Sequence, residues 1–399
     1  MGASESRYQA FLDTLGQGRL RRALTDVEAR NARTLEVDGR TYVNLASNDY
    51  LGLRFHEGLT ARAVDWAKRF GTGSGASRLV TGNLDLFARI ERKVAALKQK
   101  PAALLMASGF QANASVLQAL FDKRALGAEP LVFADRLNHA SMHFGCQAAS
   151  VREIRYRHGD AHHLAELLKQ HAEEGRPKFI LTESVFSMDG DVAPIAEIEA
   201  FAQANDAMLI VDDAHATGVL GEGGRGLSDG ADIVIGTFSK ALGSFGAYVA
   251  CSDTTRDYLI NRCSGFIYST ALPPPVLGSI DAALDLLSDL DAERAHVAGL
   301  AARFRGEAAD RGFDTGASST QIVPLTVGTA EAALGLSAAL RQAGFWATAI
   351  RPPTVPNGTA RVRCAFTAAH TKQDLDSLLA ALEACCDAFA PTAVKAASA

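Results

Sequence analysis

Between residues 103 and 251, short runs of apolar and β-branched residues alternate with longer stretches whose apolar positions return every three or four residues. The runs 103–107, 131–134, 153–157, 179–182, 208–211, 233–236 and 247–251 read as seven strands separated by helices. Their near-continuous apolarity fits strands buried on both faces. The pattern therefore predicts an α/β domain with a mostly parallel seven-stranded sheet sandwiched by helices. Ahead of it, an arginine-bearing amphipathic segment to about Arg30 and a short strand breaking into a turn over 42–52 form an N-terminal arm. Beyond Pro274 the chain turns helix-rich, and runs at 322–325, 348–351 and 361–366 predict a small α+β C-terminal domain. The expected boundaries are 1–55 for the arm, 56–285 for the large domain and 286–399 for the small one. No internal repeat is present, and the small, polar tail 390–399 is expected to be mobile.

The residues with chemical potential fall just past the carboxyl ends of these runs: Ser108-Gly109-Phe110, Asn138-His139, 183–189, 212–215 and 237–240. In open parallel sheets that edge is where ligands bind. Lys240, in Gly236-Thr237-Phe238-Ser239-Lys240, is an amine delivered by an apolar strand into a glycine-flanked turn. Burial disfavours its charge and makes it a nucleophile suited to a Schiff base, whereas the plain alternative is an exposed lysine that starts a helix. Asp212-x-x-His215 closes a strand, so that a buried carboxylate can keep a pyridine-type nitrogen protonated, the condition for an electron sink. The alternative there is a capping aspartate beside a satisfied histidine. Ser108 to Asn113 opens a helix with free backbone N–H groups, a natural seat for phosphate, and the hydroxyls of Thr237 and Ser239 would add to it.

Composition narrows the classes. With 399 residues, 48% of them hydrophobic, the chain is long enough for two lobes. A net charge of -5 without a dense basic block argues against nucleic acid or an anionic membrane as partner, though Arg19, Arg21 and Arg22 are candidates for a small anionic substrate. The six cysteines form no Cys-x-x-Cys pair and the first residues carry no targeting pattern, so a reducing, cytoplasmic setting is expected. No apolar run reaches the roughly 20 residues of a membrane span. Three motif matches are decoys. Gly221 to Gly226 has the dinucleotide spacing without a βα unit around it, Ser228 has the nucleophile-elbow spacing without a strand to deliver it, and 71–78 lacks the lysine of a P-loop. The histidines show no metal-ligand spacing, with His162, His163 and His171 in a polar helical stretch, and no metal is expected.

Taken together, Ser47-Asn48-Asp49-Tyr50-Leu51-Gly52-Leu53, 71–82, Ser108-Gly109-Phe110, Asn138-His139-Ala140-Ser141, 185–191, 211–218 and 237–240 resemble the α-oxoamine synthases. These are pyridoxal-phosphate enzymes of fold type I, the aspartate aminotransferase fold, and the likeness runs from about Arg19 through the C-terminal domain. The resemblance implies that Lys240 holds the aldehyde of pyridoxal 5'-phosphate, Asp212 pairs with its ring nitrogen and His139 stacks on its face. It further implies His215 and Ser187 on the phenolic-oxygen side, with Gly109, Phe110 and Thr237 around the phosphate. For substrate it implies Arg363 on the amino-acid carboxylate, Asn48 at the rim, and Thr354 with Arg22 on the acyl group, where Arg21 aligns equally well.

Within the family, 349–363 is most similar to the biotin-pathway member. That implies decarboxylative condensation of L-alanine with pimeloyl-CoA or a pimeloyl carrier protein, in a homodimer whose segments 71–77 and 269–270 reach the neighbour's phosphate. Phe87 departs from the pattern, since many relatives carry histidine there, and it is expected to pack beneath the glycine-rich segment. The rival readings are a sibling synthase using glycine or serine with another acyl-CoA, a catalytically silent protein on the same scaffold, and a hydrolase built on Ser228.

Overall fold

A computed structural model describes residues 2–18 and 20–390; Arg19 and the tail from 391 lie outside the described residues. The chain divides into two compact units, one formed by Asn48–Ser187 with Val192–Ala295 and the other by the residues up to Ser47, Met188–Asp191 and the residues from His296 onward.

The larger unit holds a seven-stranded sheet of β1 (Ala102–Met106), β2 (Leu131–Asp135), β3 (Glu153–Tyr156), β4 (Lys178–Glu183), β5 (Ala207–Asp212), β6 (Ile233–Thr237) and β7 (Ala247–Cys251). Their order is β1-β7-β6-β5-β4-β2-β3. From β6 to β3 all pairings are parallel, whereas β7 runs antiparallel to both β1 and β6. The expected sheet is borne out to within a residue or two at each strand end. The reason is burial: β1, β2, β6 and β7 are buried at every position, so they are apolar up to the polar residues Asp135 and Thr237 that end β2 and β6. Helix α1 (Gly109–Leu120) crosses β6 and β7, and α2 (Ala140–Ala148) packs on α1. The layer between contains Leu104, Val116, Leu117, Val132, Met142, Leu181, Ile210 and Ile235. Helix α2 approaches closely because of Gly145, where an added Cβ would stand 2.8 Å from Leu117 Cβ and 3.0 Å from the Asn113 carbonyl oxygen.

In the smaller unit, Arg40–Asn44 pairs antiparallel with Thr34–Val37 and parallel with Phe345–Trp346. N-terminal and C-terminal segments therefore share one sheet, with Tyr42 edge-on to Trp346 at 5.4 Å. A second sheet joins β8 (Ile322–Gly328), β9 (Thr348–Ile350) and β10 (Ala360–Ala365), all antiparallel, with β10 central. The amphipathic N-terminal segment becomes a helix over Ala3–Gln17.

Candidate active site

The parallel strands of the larger unit end in polar residues along one edge. Asp212 is the last residue of β5 and sits opposite Glu183, the last of β4; Thr237 ends β6, and Lys240 follows three residues later. Side chains alternate along a strand, so Asp212 and Asp213 turn to different surroundings. Asp212 Oδ2 accepts a hydrogen bond from Asn113 Nδ2 at 2.6 Å, and its Oδ1 accepts the Ala214 N–H at 3.0 Å. Asp213 is buried against Lys98, Nζ to Oδ2 at 2.5 Å, and also accepts from Ser184 Oγ at 2.5 Å, the Leu227 N–H and Ser228 Oγ. Burial works against the charge on Lys98, but Asp213 more than offsets it and raises its pKa. The segment that follows Asp212 is thereby anchored to the body of the unit by a charge pair whose disruption would cost about 3–5 kcal/mol.

His139 caps the N-terminus of α2, with its ring nitrogen accepting the Ser141 N–H. The residue as a whole is exposed, but the protein packed around its ring lowers its affinity for a proton, and the nearby positive charges of Lys240 and His143 act in the same direction against Asp212. Glu183 is wholly buried. Desolvation, with Asp212 alongside, pushes its carboxyl well above the usual range while the His139 backbone N–H bonds it. The charge of Lys240 bears on both His139 and Glu183, which brings the amine, the stacking candidate and two carboxyls together.

His215 is buried, its Nδ1 2.7 Å from the hydroxyl of Tyr50, and that hydroxyl donates to Asn48 Oδ1 at 3.1 Å. Two expected site residues are thus joined through a tyrosine that the motif reading quoted without a role. Ser187 lies at a turn after β4, half-buried.

Around the N-terminus of α1, Ser108 Oγ accepts the Gln111 N–H at 3.3 Å. An α-helix leaves its first N–H groups without helical partners, here those of Gly109 and Phe110. A Cβ on Gly109 would lie 3.9 Å from Thr237 Cβ, and Thr237 Oγ1 is 2.7 Å from Ser239 Oγ, so the hydroxyls and the helix N-terminus adjoin. The glycine-rich segment and 269–270 are also side by side: Ser77 bridges Thr270, the Ala271 N–H donates to the Ala76 carbonyl at 3.0 Å, and Gln111 Nε2 donates to Ser269 Oγ at 2.6 Å. Phe87 is buried with the Arg78 guanidinium 4.0 Å from its ring centre, and Arg78 pairs with Glu91 at 2.6 Å. At Ser228 no strand precedes the serine, and its hydroxyl is spent on Asp213.

The remaining expected residues belong to the smaller unit. Arg22 Nη2 donates to Thr354 Oγ1 at 2.8 Å, which joins the two acyl-group candidates. Arg363 is buried on β10, two residues from Arg361, which is paired with Asp189 and also donates to the Thr359 carbonyl at 2.9 Å.

In the larger unit, the donor set suits pyridoxal 5'-phosphate. Asp212 is an acceptor beside neutral donors, fit for a protonated ring nitrogen; the start of α1 with Thr237 and Ser239 is an anion seat; and Lys240 is an amine for an aldehyde. Comparison with known proteins agrees. The model for class I and II aminotransferases matches residues 40–382, and the chain belongs to that family. Over 381 residues it is 55% identical to the 8-amino-7-oxononanoate synthase of Gluconacetobacter diazotrophicus, covering 94% of this chain and 96% of that one. Within the class, that degree of identity makes it a member of the 8-amino-7-oxononanoate synthase family. Among solved structures, a serine palmitoyltransferase variant from S. paucimobilis with PLP and myriocin bound matches at a TM-score of 0.87 and 26% identity, covering 94% of this chain and 96% of that one. The 8-amino-7-oxononanoate synthase of Francisella tularensis matches at 0.73 and 26%, over 86% and 97%. The motif resemblance and the expected fold are borne out.

Proposed function

We propose that the protein condenses L-alanine with pimeloyl-CoA, or with a pimeloyl carrier protein, to give 8-amino-7-oxononanoate, CO2 and the free thiol, a step of biotin synthesis. The observation that carries this reading is the meeting of Asp212, Lys240 and His139 beside the anion seat at one sheet edge, in a chain 55% identical to a synthase of that name. Pyridoxal 5'-phosphate, when bound, supplies the electron sink for bond breaking at the α-carbon of alanine. Asp212 would hold the proton on the ring nitrogen, and His139 would pack against the ring. Lys240 Nζ, on a half-buried side chain, takes the α-proton and returns one to the product. His215 and Ser187 bond the phenolic oxygen, while Gly109, Phe110 and Thr237 hold the phosphate. Arg363 binds the alanine carboxylate until it leaves as CO2, Asn48 assists at the rim, and Arg22 with Thr354 contacts the acyl group.

The working form is a homodimer in the cytoplasm. Support comes from the exposure of Leu79, Val80, Phe245 and Tyr268, large apolar side chains of the kind a partner covers, and from the ordered pairing of the glycine-rich segment with 269–270. No helix among the described residues is long and apolar enough to cross a membrane.

Thiol release from pimeloyl-, acetyl-, succinyl- and palmitoyl-CoA, each with alanine, glycine or serine, tests the reading. Release confined to alanine with pimeloyl-CoA is expected; release with serine and palmitoyl-CoA would move the chain to a sibling reaction. Lys240→Ala should lower turnover by at least about a thousandfold, within the range of a lost general base combined with a lost cofactor anchor.

A further inference from the structure

Behind the candidate site, four polar side chains form one hydrogen-bonded chain. His139 Nδ1 lies 2.7 Å from Ser141 Oγ and accepts the Ser141 backbone N–H at 3.3 Å. Ser141 Oγ accepts from Asn113 Nδ2 at 2.9 Å, and the same nitrogen donates to Asp212 Oδ2 at 2.6 Å. Ser141 is 0% exposed, Asn113 2% and Asp212 7%, so bulk water does not compete for the bonds that join these three, while His139 at the end of the chain is exposed.

The direction of each bond follows from what each group can give. An ionised carboxylate has no proton to donate, so the Asn113 group facing Asp212 is its NH2, and the second hydrogen of that NH2 is the one reaching Ser141 Oγ. With that hydrogen on its oxygen, the Ser141 hydroxyl turns its own proton toward the nearest acceptor, His139 Nδ1. The Ser141 backbone N–H aims at the same nitrogen and would meet any hydrogen already on it. The lone pair is therefore on Nδ1 and the ring proton on Nε2, for which no hydrogen bond is found among the described residues.

We propose that Asn113 and Ser141 are positioning residues that fix His139 as its Nε2–H tautomer and tie the ring to Asp212, leaving one hydrogen-bond donor for the ligand. The inference rests on the proposed function, which puts the ligand against His139. Gly145 supports the geometry by letting α2 come close enough to α1 for Ser141 to meet Asn113.

Nitrogen-15 solid-state NMR of the cofactor-loaded enzyme, labelled at histidine, tests this. The His139 signals are identified by their loss in His139→Gln. The expected result is one tautomer, with a bare Nδ1 and a protonated Nε2. Ser141→Ala, which keeps only the longer 3.3 Å backbone bond to Nδ1, should give mixed tautomers and about a tenfold lower kcat/KM, the equivalent of one hydrogen bond, whereas Ser141→Thr, which keeps the hydroxyl, should preserve the single tautomer. A proton on Nδ1 in the unaltered enzyme, or an unchanged tautomer in Ser141→Ala, overturns the inference. The unaltered enzyme decides the matter even where a variant does not fold. The two readings fail separately: absent thiol release removes the proposed reaction, while a wrong tautomer with intact thiol release removes this inference alone.

Discussion

The carboxyl of Glu183 ends β4 opposite Asp212 and is wholly buried, so it keeps its proton at pH values where an exposed glutamate has lost it. Its folded-state pKa is raised, so above the ordinary carboxylate range the folded chain binds a proton that the unfolded chain has released. Stability therefore falls as pH rises from that range toward the raised value. Glu183→Gln keeps the shape and cannot titrate. Urea midpoints for variant and parent should agree near pH 4 and separate in favour of the variant at pH 9; parallel curves would refute a neutral Glu183. At this scale the sequence was informative where a strand delivers a lone polar residue, as with Asp212, Lys240 and His139. It placed Glu183 at the ligand edge and Tyr50 in a motif but gave neither a role, because those roles depend on which strand or histidine stands beside them. Asn113 carried a faint signal, an amide between Ala112 and Ala114, but only the fold shows that it faces Asp212.

The crossing of α1 and α2 is set by one missing methyl group. An alanine at Gly145 would press on Leu117 and on the Asn113 carbonyl, so Gly145→Ala should cost about 1–3 kcal/mol as an overpacked contact. It should also loosen the bond between Ser141 and Asn113. Thermal unfolding gives the first quantity, and the histidine nitrogen spectrum reports the second; an unaltered melting temperature would show that α2 yields without cost. Strand positions were legible because burial on both faces leaves unbroken apolar runs. The antiparallel setting of β7 was not, since a strand buried on both faces has the same composition in either direction. Likewise, nothing local in Phe345–Trp346 announces that it pairs with Arg40–Asn44 about three hundred residues earlier.

Over the whole molecule, the cofactor candidates and Asn48 lie in one unit, and Arg22, Thr354 and Arg363 in the other. If this division is also one of labour, Arg363→Met should leave cofactor absorbance and affinity near those of the parent while raising the KM for alanine about ten- to a hundredfold, the scale of a lost charge-assisted bond. Loss of cofactor together with substrate binding would refute that division. What the sequence by itself determined was the alternation of strands and helices and the edge on which chemistry gathers, while the type of cofactor came from the resemblance of its motifs to a known family. The first two are written in short-range patterns: burial dictates apolar runs, and strand ends tolerate isolated charges and glycine turns. Tertiary structure alone decided which groups stand together: Asn113 between Asp212 and Ser141, Tyr50 between His215 and Asn48, and Arg22 against Thr354. Apart from the local bond between Tyr50 and Asn48, each of those bonds spans less than 4 Å in space but joins residues whose separation along the chain leaves no periodicity to read, so only the packing of the elements that carry them could bring them together.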